Sequence, residues 1–191
     1  MTEKEQARQK AKECLQHLMK NEEDRRGQAF FSAITAMPEY QQAKVVFCYL
    51  SVEKEPQTAR IIEDALRRGK TVCAPVCIRR GVMRARRLSD LKKAVLGAYQ
   101  IPVPPEEEPW VEPETIDFAV VPCVACGKDG TRLGHGAGFY DRFLEQGGFY
   151  RAAICHSECC WDTVPTQEHD LLMDAVVTEN AVYRKGDPQV E

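Results

Sequence analysis

Arg132-Leu133-Gly134-His135-Gly136-Ala137-Gly138-Phe139-Tyr140-Asp141-Arg142 sets three glycines at alternate positions between an arginine and a Tyr-Asp-Arg triplet. Alternate glycines let a backbone turn with positive φ and approach a ligand without Cβ clashes. Backbone N–H groups in such a loop can converge on an anion. The amphipathic stretch from Phe139 to Leu144 reads as a helix, whose N-terminus adds partial positive charge. The pattern predicts a phosphate cradle with a guanidinium at its entrance and a carboxylate at its exit. Its spacing is neither G-x-x-x-x-G-K-[ST] nor G-x-G-x-x-G. Tight loops are also glycine-rich for purely steric reasons, so a structural turn is the competing reading on residue types alone.

Outward from this loop, strands and helices alternate. Upstream, Ile116-Asp117-Phe118-Ala119-Val120-Val121-Pro122 reads as a buried strand. Residues 44–50 and 70–76 are apolar, β-branched runs of strand length. Between them Pro56 and Thr58 open a helix with Ile61, Ile62, Ala65 and Leu66 at helical spacing, and Gly69 ends it. Such a β–α–β unit implies a parallel pair with a right-handed crossover. Residues 3–21 and 22–37 read as two helices, the second with Phe30, Phe31, Ile34 and Met37 on one side. Residues 79–87 suggest a short strand or hairpin, and Ser89 a cap for a short helix near Asp90. The proline-rich stretch 102–113, with Glu106-Glu107-Glu108, reads as an exposed loop. Gly147-Gly148 closes a helix over 139–146, and residues 150–156 and 175–178 are further strands. The expected fold is one domain over residues 1–191, a three-layer α/β/α arrangement with a mostly parallel sheet and helices on both faces. Ligands in such folds bind at the carboxyl ends of strands, which would bring the loops after residues 50 and 122 to one cleft.

The strand 116–122 followed by Arg132 to Arg142 resembles the 5-formyltetrahydrofolate cyclo-ligase family, also called methenyltetrahydrofolate synthetase. The family pattern is a strand ending in Pro, a loop, then R-L-G-x-G-x-G-[FY]-Y-D-R. The resemblance extends to Tyr49-Leu50-Ser51 with Glu55 and Thr58, to Gly69-Lys70, to Ile101-Pro102 and to residues 168–179. It implies that ATP and magnesium drive cyclisation of 5-formyltetrahydrofolate to 5,10-methenyltetrahydrofolate, releasing ADP and phosphate. In that chemistry the formyl oxygen takes the γ-phosphoryl group, and the neighbouring anilino nitrogen displaces phosphate from the resulting iminium phosphate.

The same resemblance assigns residues. Lys4 and Arg8 match a K-x-x-x-R pair that contacts ATP. The nucleotide-binding turn is Arg132, Leu133, Gly134, His135, Gly136, Ala137, Gly138, Phe139 and Tyr140, with His135 at a variable position that carries no chemistry. Arg132, Tyr140 and Asp141 form the catalytic set, and Asp141 and Asp170 match magnesium ligands, hard oxygens that this ion prefers. Leu50, Glu55, Ile101 and Pro102 match folate contacts. Each has an ordinary counterpart: a helix-start carboxylate for Asp141, solvated side chains for Lys4, Arg8 and Asp170, core packing for Leu50 and Ile101. The chain departs from the family pattern at Cys126-Gly127, where Phe-Asp is usual, and at Ala7, where Leu is usual. A nucleotide- or folate-binding relative without cyclo-ligase activity is therefore the alternative.

Composition bounds the rest. The chain has 191 residues, 43% of them hydrophobic, and a net charge of −3. That argues against global disorder and gives no general reason for nucleic-acid binding. No apolar run approaches the roughly 18 residues that span a bilayer, and the charged start has no secretory h-region. A cytoplasmic monomer acting on small molecules is the expectation. Arg79, Arg80, Arg84, Arg86 and Arg87, with Lys92 and Lys93, are the densest positive charge, suited either to a folate polyglutamate tail or to a plain solvated face. Nine cysteines cannot all pair internally. Cys48, Cys73 and Cys155 read as small buried hydrophobes, and Cys123-x-x-Cys126 alone is a weak zinc signal. Together they read as structural thiols.

Overall fold

The computed structural model describes residues 1–16, 23–167 and 170–186. Helices α1 (Glu3–Gln16), α2 (Glu23–Ala36) and α3 (Pro38–Gln42) precede strand β1 (Val45–Cys48). Helix α4 (Ala59–Arg67) leads into β2 (Thr71–Arg79) and β3 (Val82–Arg87). Short strands β4 (Val95–Leu96), β5 (Pro102–Val103) and β6 (Trp110–Val111) follow. The glycine loop lies between β7 (Phe118–Pro122), β8 (Ala125–Gly127) and β9 (Arg132–Leu133) on one side and α5 (Phe139–Leu144) on the other. The chain continues through β10 (Tyr150–Ile154), β11 (Cys160–Trp161), β12 (Ala175–Val177) and β13 (Val182–Arg184).

Among the described residues the main sheet has eight strands in the order β13-β12-β10-β7-β1-β2-β3-β6. β12, β10, β7, β1 and β2 run parallel, and the strands at both edges run antiparallel to their neighbours. The expected mostly parallel sheet is therefore correct. β7 is buried at all of its residues, as a central parallel strand covered on both faces must be. Alternation along it divides the core. Phe118 and Val120 pack with Phe30, Ile34, Ile61 and Ile62 of α2 and α4. Ala119 and Val121 pack with Ala7 and Ala11 of α1 and with Phe143 and Leu144 of α5. Helices thus cover both faces. Each fully buried phenylalanine here stabilises the fold by about 1.5–3 kcal/mol relative to an exposed one.

Some local expectations change. Residues 102–113 are not wholly a loop: Trp110 and Val111 pair with Arg86 and Ala85 of β3. The ring of Trp110 lies 4.5 Å from the guanidinium of Arg84 and 4.0 Å from that of Arg86, which anchors this edge. Asp90, not Ser89, caps the short turn Leu91–Lys93, its Oδ1 accepting from the Lys92 N–H at 2.9 Å. Ser89 donates to Glu108 instead. Thr58 stands at the start of α4, but its hydroxyl donates to the Tyr49 carbonyl at 2.7 Å, which fixes the turn after β1. The expected helix over residues 3–21 is seen to Gln16, and residues 17–22 lie outside the described residues.

Arg26 of α2 fastens the segments that follow the carboxyl ends of β10 and β12. Its guanidinium pairs with Glu158 at 2.6 Å and with Glu179, whose carboxylate also accepts from the Ser157 N–H at 3.0 Å. The Arg26 hydrogen bond holds the Glu158 carboxyl down to about 2, against an ordinary 4.5. Arg26→Ala leaves Glu179, only 8% exposed, without this cation. The expected loss is about 3 kcal/mol in urea unfolding. Because the Glu158 value is depressed in the folded state, its contribution is full above about 4.5 and fades as pH falls toward 2. Wild-type stability should therefore drop more steeply than that of the variant across this window.

Candidate active site

β9 lies antiparallel to β8, with Cys126 opposite Arg132, and this places Arg132 under the carboxyl end of β7. Its Nη1 donates to the Pro122 carbonyl at 3.0 Å and its Nη2 to Asp141 Oδ1 at 2.6 Å. The side chain is 3% exposed, and its guanidinium sits 5.6 Å from the ring of Tyr140. Arg132 Nε is buried with no hydrogen-bond partner among the described residues, a donor in need of an acceptor.

The glycines are spaced by arginines. A Cβ on Gly134 would lie 3.0 Å from Arg132 Nη1. One on Gly136, at φ +97°, would lie 3.1 Å from Arg8 Nη2, and one on Gly138, at φ +66°, 3.0 Å from Arg142 Nη2. The close approach foreseen for a ligand is thus also made by the chain's own guanidinium groups. Arg8 of α1 donates from Nε to the Gly134 carbonyl at 2.8 Å. Lys4, one turn earlier on the same face, reaches Asp170 Oδ2 at 2.5 Å and Gln167 Oε1 at 3.3 Å. Arg142, which in the sequence only closes the motif, donates from Nε to the Gly81 carbonyl and from Nη2 to the Ala137 carbonyl, both at 2.8 Å. It ties the loop to the β2–β3 turn.

Among the described residues three cavities meet at this loop, one of them an open space beside Arg80, Gly81 and Arg142. A polar one of about 270 Å³ is lined by Lys4, Arg8, Arg132, Asp141 and Asp170. A mainly apolar one of about 680 Å³ lies between the β2–β3 hairpin, Ile101, Val103 and the loop itself. Arg132, Gly134, Gly136, Ala137, Gly138 and Asp141 face both. Tyr140 and Phe139 line the apolar cavity. Burial keeps the Tyr140 hydroxyl well above its ordinary value, hence protonated at neutral pH.

The remaining candidates divide. Ile101 lines the apolar cavity, whereas Pro102 pairs with Leu96 beside it. Leu50 is 5% exposed within the apolar cluster packed by α2 and α4. Glu55 accepts from the Val52 N–H at 3.0 Å, and burial raises its carboxyl above the ordinary value. His135 has Nε2 4.0 Å from Glu55 Oε1, longer than a hydrogen bond, and burial holds its imidazole below the ordinary value. Glu168 and His169 lie outside the described residues. Cys123 and Cys126 are joined by Cys155, their sulfurs all within 4.8 Å of one another. Hydrogen bonds from Cys126 and Cys155 hold the Cys123 thiol well below its ordinary value. The C-x-x-C spacing was the visible signal for two of these thiols, and only strand register brings in the third.

A parallel-centred sheet with guanidinium and carboxylate groups gathered at its strand ends marks an α/β enzyme. A family model described as the 5-formyltetrahydrofolate cyclo-ligase family matches residues 1–179, and the chain belongs to that family. It is 30% identical to the 5-formyltetrahydrofolate cyclo-ligase of Mycolicibacterium smegmatis over 142 residues, covering 71% of this chain and 73% of that protein. It is 27% identical to the Mus musculus cyclo-ligase over 187 residues, 91% of this chain and 92% of the other. The solved structure of Aquifex aeolicus 5,10-methenyltetrahydrofolate synthetase superimposes with a TM-score of 0.87 at 27% identity, covering all of this chain and 96% of that one. No helix among the described residues is long and apolar enough to cross a membrane.

Gly81→Ala tests the tie between hairpin and loop. A methyl there would lie 2.4 Å from Arg142 Nη2 at φ +74°. The expected cost is about 1–2 kcal/mol of stability for the left-handed conformation. Thermal unfolding should show that loss, together with faster proteolysis at the glycine loop as Arg142 is displaced.

Proposed function

We propose that this chain catalyses the ATP- and magnesium-dependent cyclisation of 5-formyltetrahydrofolate to 5,10-methenyltetrahydrofolate, as a monomeric, single-domain cytoplasmic enzyme. The observation that carries this reading is the glycine loop standing as the shared wall between a cation-lined polar cavity and a larger apolar one. The polar cavity suits the triphosphate, and the apolar cavity suits the pterin and benzoyl rings. ATP would supply the phosphoryl group that turns the formyl oxygen into a leaving group, with magnesium neutralising its charge.

The chain's own groups fit those needs. Lys4, Arg8 and Arg132 offset phosphate charge, and the unpartnered Nε of Arg132 is a donor awaiting an acceptor. Asp141 and Asp170 line the same cavity and would hold the metal, each already positioned by a cation, Arg132 and Lys4. Tyr140, kept as a neutral phenol, offers a hydrogen bond on the folate side. Glu55 would accept from pterin N–H donors, held in place by Val52 and facing His135. Positioning and electrostatics of this kind are the main protein contribution to phosphoryl transfer.

The departure at Cys126-Gly127 favours a second reading, binding without turnover. Yet a Cβ at Gly127 would lie 2.2 Å from Thr131 Oγ1 and 2.3 Å from Asp129 Oδ1, so this turn has its own internal carboxylate and needs glycine there. Asp129 accepts from the Thr131 N–H at 3.0 Å and from its hydroxyl at 2.6 Å.

Incubation with 5-formyltetrahydrofolate, ATP and magnesium should give the methenyl absorbance. Nucleotide binding with no product would instead select the second reading. Asp141→Asn should lower turnover about 100-fold or more while the protein stays folded, because an amide lacks the anionic charge magnesium prefers. Near-normal rates at limiting magnesium would leave Asp141 a structural partner of Arg132.

Gly136→Val should weaken ATP affinity about tenfold or more by calorimetry, since a β-branched residue cannot hold φ +97° beside Arg8. Arg86 lines the apolar cavity next to Trp110 and Arg84, a placement suited to a polyglutamate tail at its mouth. Replacing Arg84 and Arg86 with Gln should raise the KM for polyglutamylated substrate at low salt and leave that for monoglutamate little changed. Equal effects on both would assign these arginines to packing alone.

A further inference from the structure

Parallel pairing of β7 with β10 sets Pro122 opposite Ile154. The next residues on these strands, Cys123 and Cys155, therefore leave the sheet side by side. Two residues later the chain enters β8, and Cys126 folds back over them, so that the three sulfurs lie within 4.8 Å of one another. Cys126 and Cys155 are buried, at 0% and 1% exposure, while Cys123 is half-buried and gives solvent access. Cys160 of β11 is the register partner of Cys126, and its thiol hydrogen-bonds with that of Cys126 while standing outside the three-sulfur group.

We propose that Cys123, Cys126 and Cys155 bind a zinc ion as thiolates, with Cys160 closing the tetrahedron, at the carboxyl ends of β7 and β10. Tetrahedral zinc with bonds of about 2.3 Å separates its sulfurs by about 3.8 Å, within the 4.8 Å that bounds the Cys123, Cys126 and Cys155 sulfurs. A disulfide would join only two of the convergent sulfurs and strand the third, and soft thiolate sets favour zinc over hard cations. Binding exchanges each thiol proton still present for a sulfur–zinc bond, so up to four protons leave to solvent and no oxidant is needed. The guanidinium of Arg132, fixed on the carbonyl of Pro122 one residue before Cys123, offsets the net negative charge. The ion would pin the segment between β7 and β8, the same segment that supports Arg132.

The test uses the full chain, purified reduced, with the metal alone as probe. After dialysis against zinc-limited buffer, about one zinc per chain should remain by mass spectrometry. Cobalt(II) in its place should give thiolate-to-cobalt charge-transfer absorption and tetrahedral d–d bands. Cys126→Ser and Cys155→Ser should lose both signals, and Cys14→Ser should keep them. If the buried substitutions unfold the protein, alkylation of Cys123 in the wild type decides: stoichiometric zinc should slow it at least about tenfold, and a chelator should restore it. Substoichiometric metal, cobalt spectra without charge-transfer bands, or alkylation indifferent to zinc would overturn the proposal. A disulfide forming readily among these cysteines without zinc affinity would overturn it in favour of a redox pair. None of these readouts depends on the ligase reaction.

Discussion

The guanidinium of Arg132, clamped between the Pro122 carbonyl and the Asp141 carboxylate, is the interaction on which the site rests. It joins the end of a central strand, a short crossing strand and the first turn of α5. Both bonds are charge-assisted and the side chain is almost wholly buried, so each partner is needed to satisfy the other. The loop between Arg132 and Asp141 must then travel over the arginine that anchors it. Glycine at 134 is what lets it do so, because a Cβ there would press on Nη1. Arg8 and Arg142 impose the same condition at 136 and 138, where the backbone also turns through positive φ. A run that looks like a binding loop is in this sense a set of arginine seats, and the cation density they create is what makes the polar cavity suited to phosphate.

Much of this was legible in the sequence because it depends on local pattern. The unbroken apolar run of β7 read as a buried strand, and it lies covered on both faces. Gly69 ended α4 as expected, with φ +74°. The motif from Arg132 to Arg142 located the site, and its spacing from the N-terminal Lys4 and Arg8 could be linked to it only through the family pattern, since 126 residues separate Arg8 from the carbonyl it holds.

What the sequence concealed depends on pairing across distance. Trp110 sits among prolines and acidic residues, and its strand exists because Arg84 and Arg86 pack on its ring from the next strand. Cys155 read as a small core residue, and its closeness to Cys123 follows from the β7–β10 register alone. His135 occupies a position with no pattern of its own, yet the turn of the loop carries it toward Glu55. Leu50 shows the reverse. It lies at a strand end near the cleft, but its side chain is drawn into the apolar layer beneath α2 and α4.

Arg142 holds the Gly81 carbonyl with one edge of its guanidinium and the Ala137 carbonyl with the other. The strands joined by that β2–β3 turn line the apolar cavity, and Ala137 belongs to the walls of both cavities. A single rigid, planar group therefore links the hairpin beside the apolar cavity to the loop that walls both. A ligand that shifts the loop changes the free energy of the hairpin, and one that shifts the hairpin changes that of the loop by the same amount, since binding linkage is reciprocal. Occupancy of the cleft on one side of this arginine would in that way be felt on the other through the same planar group.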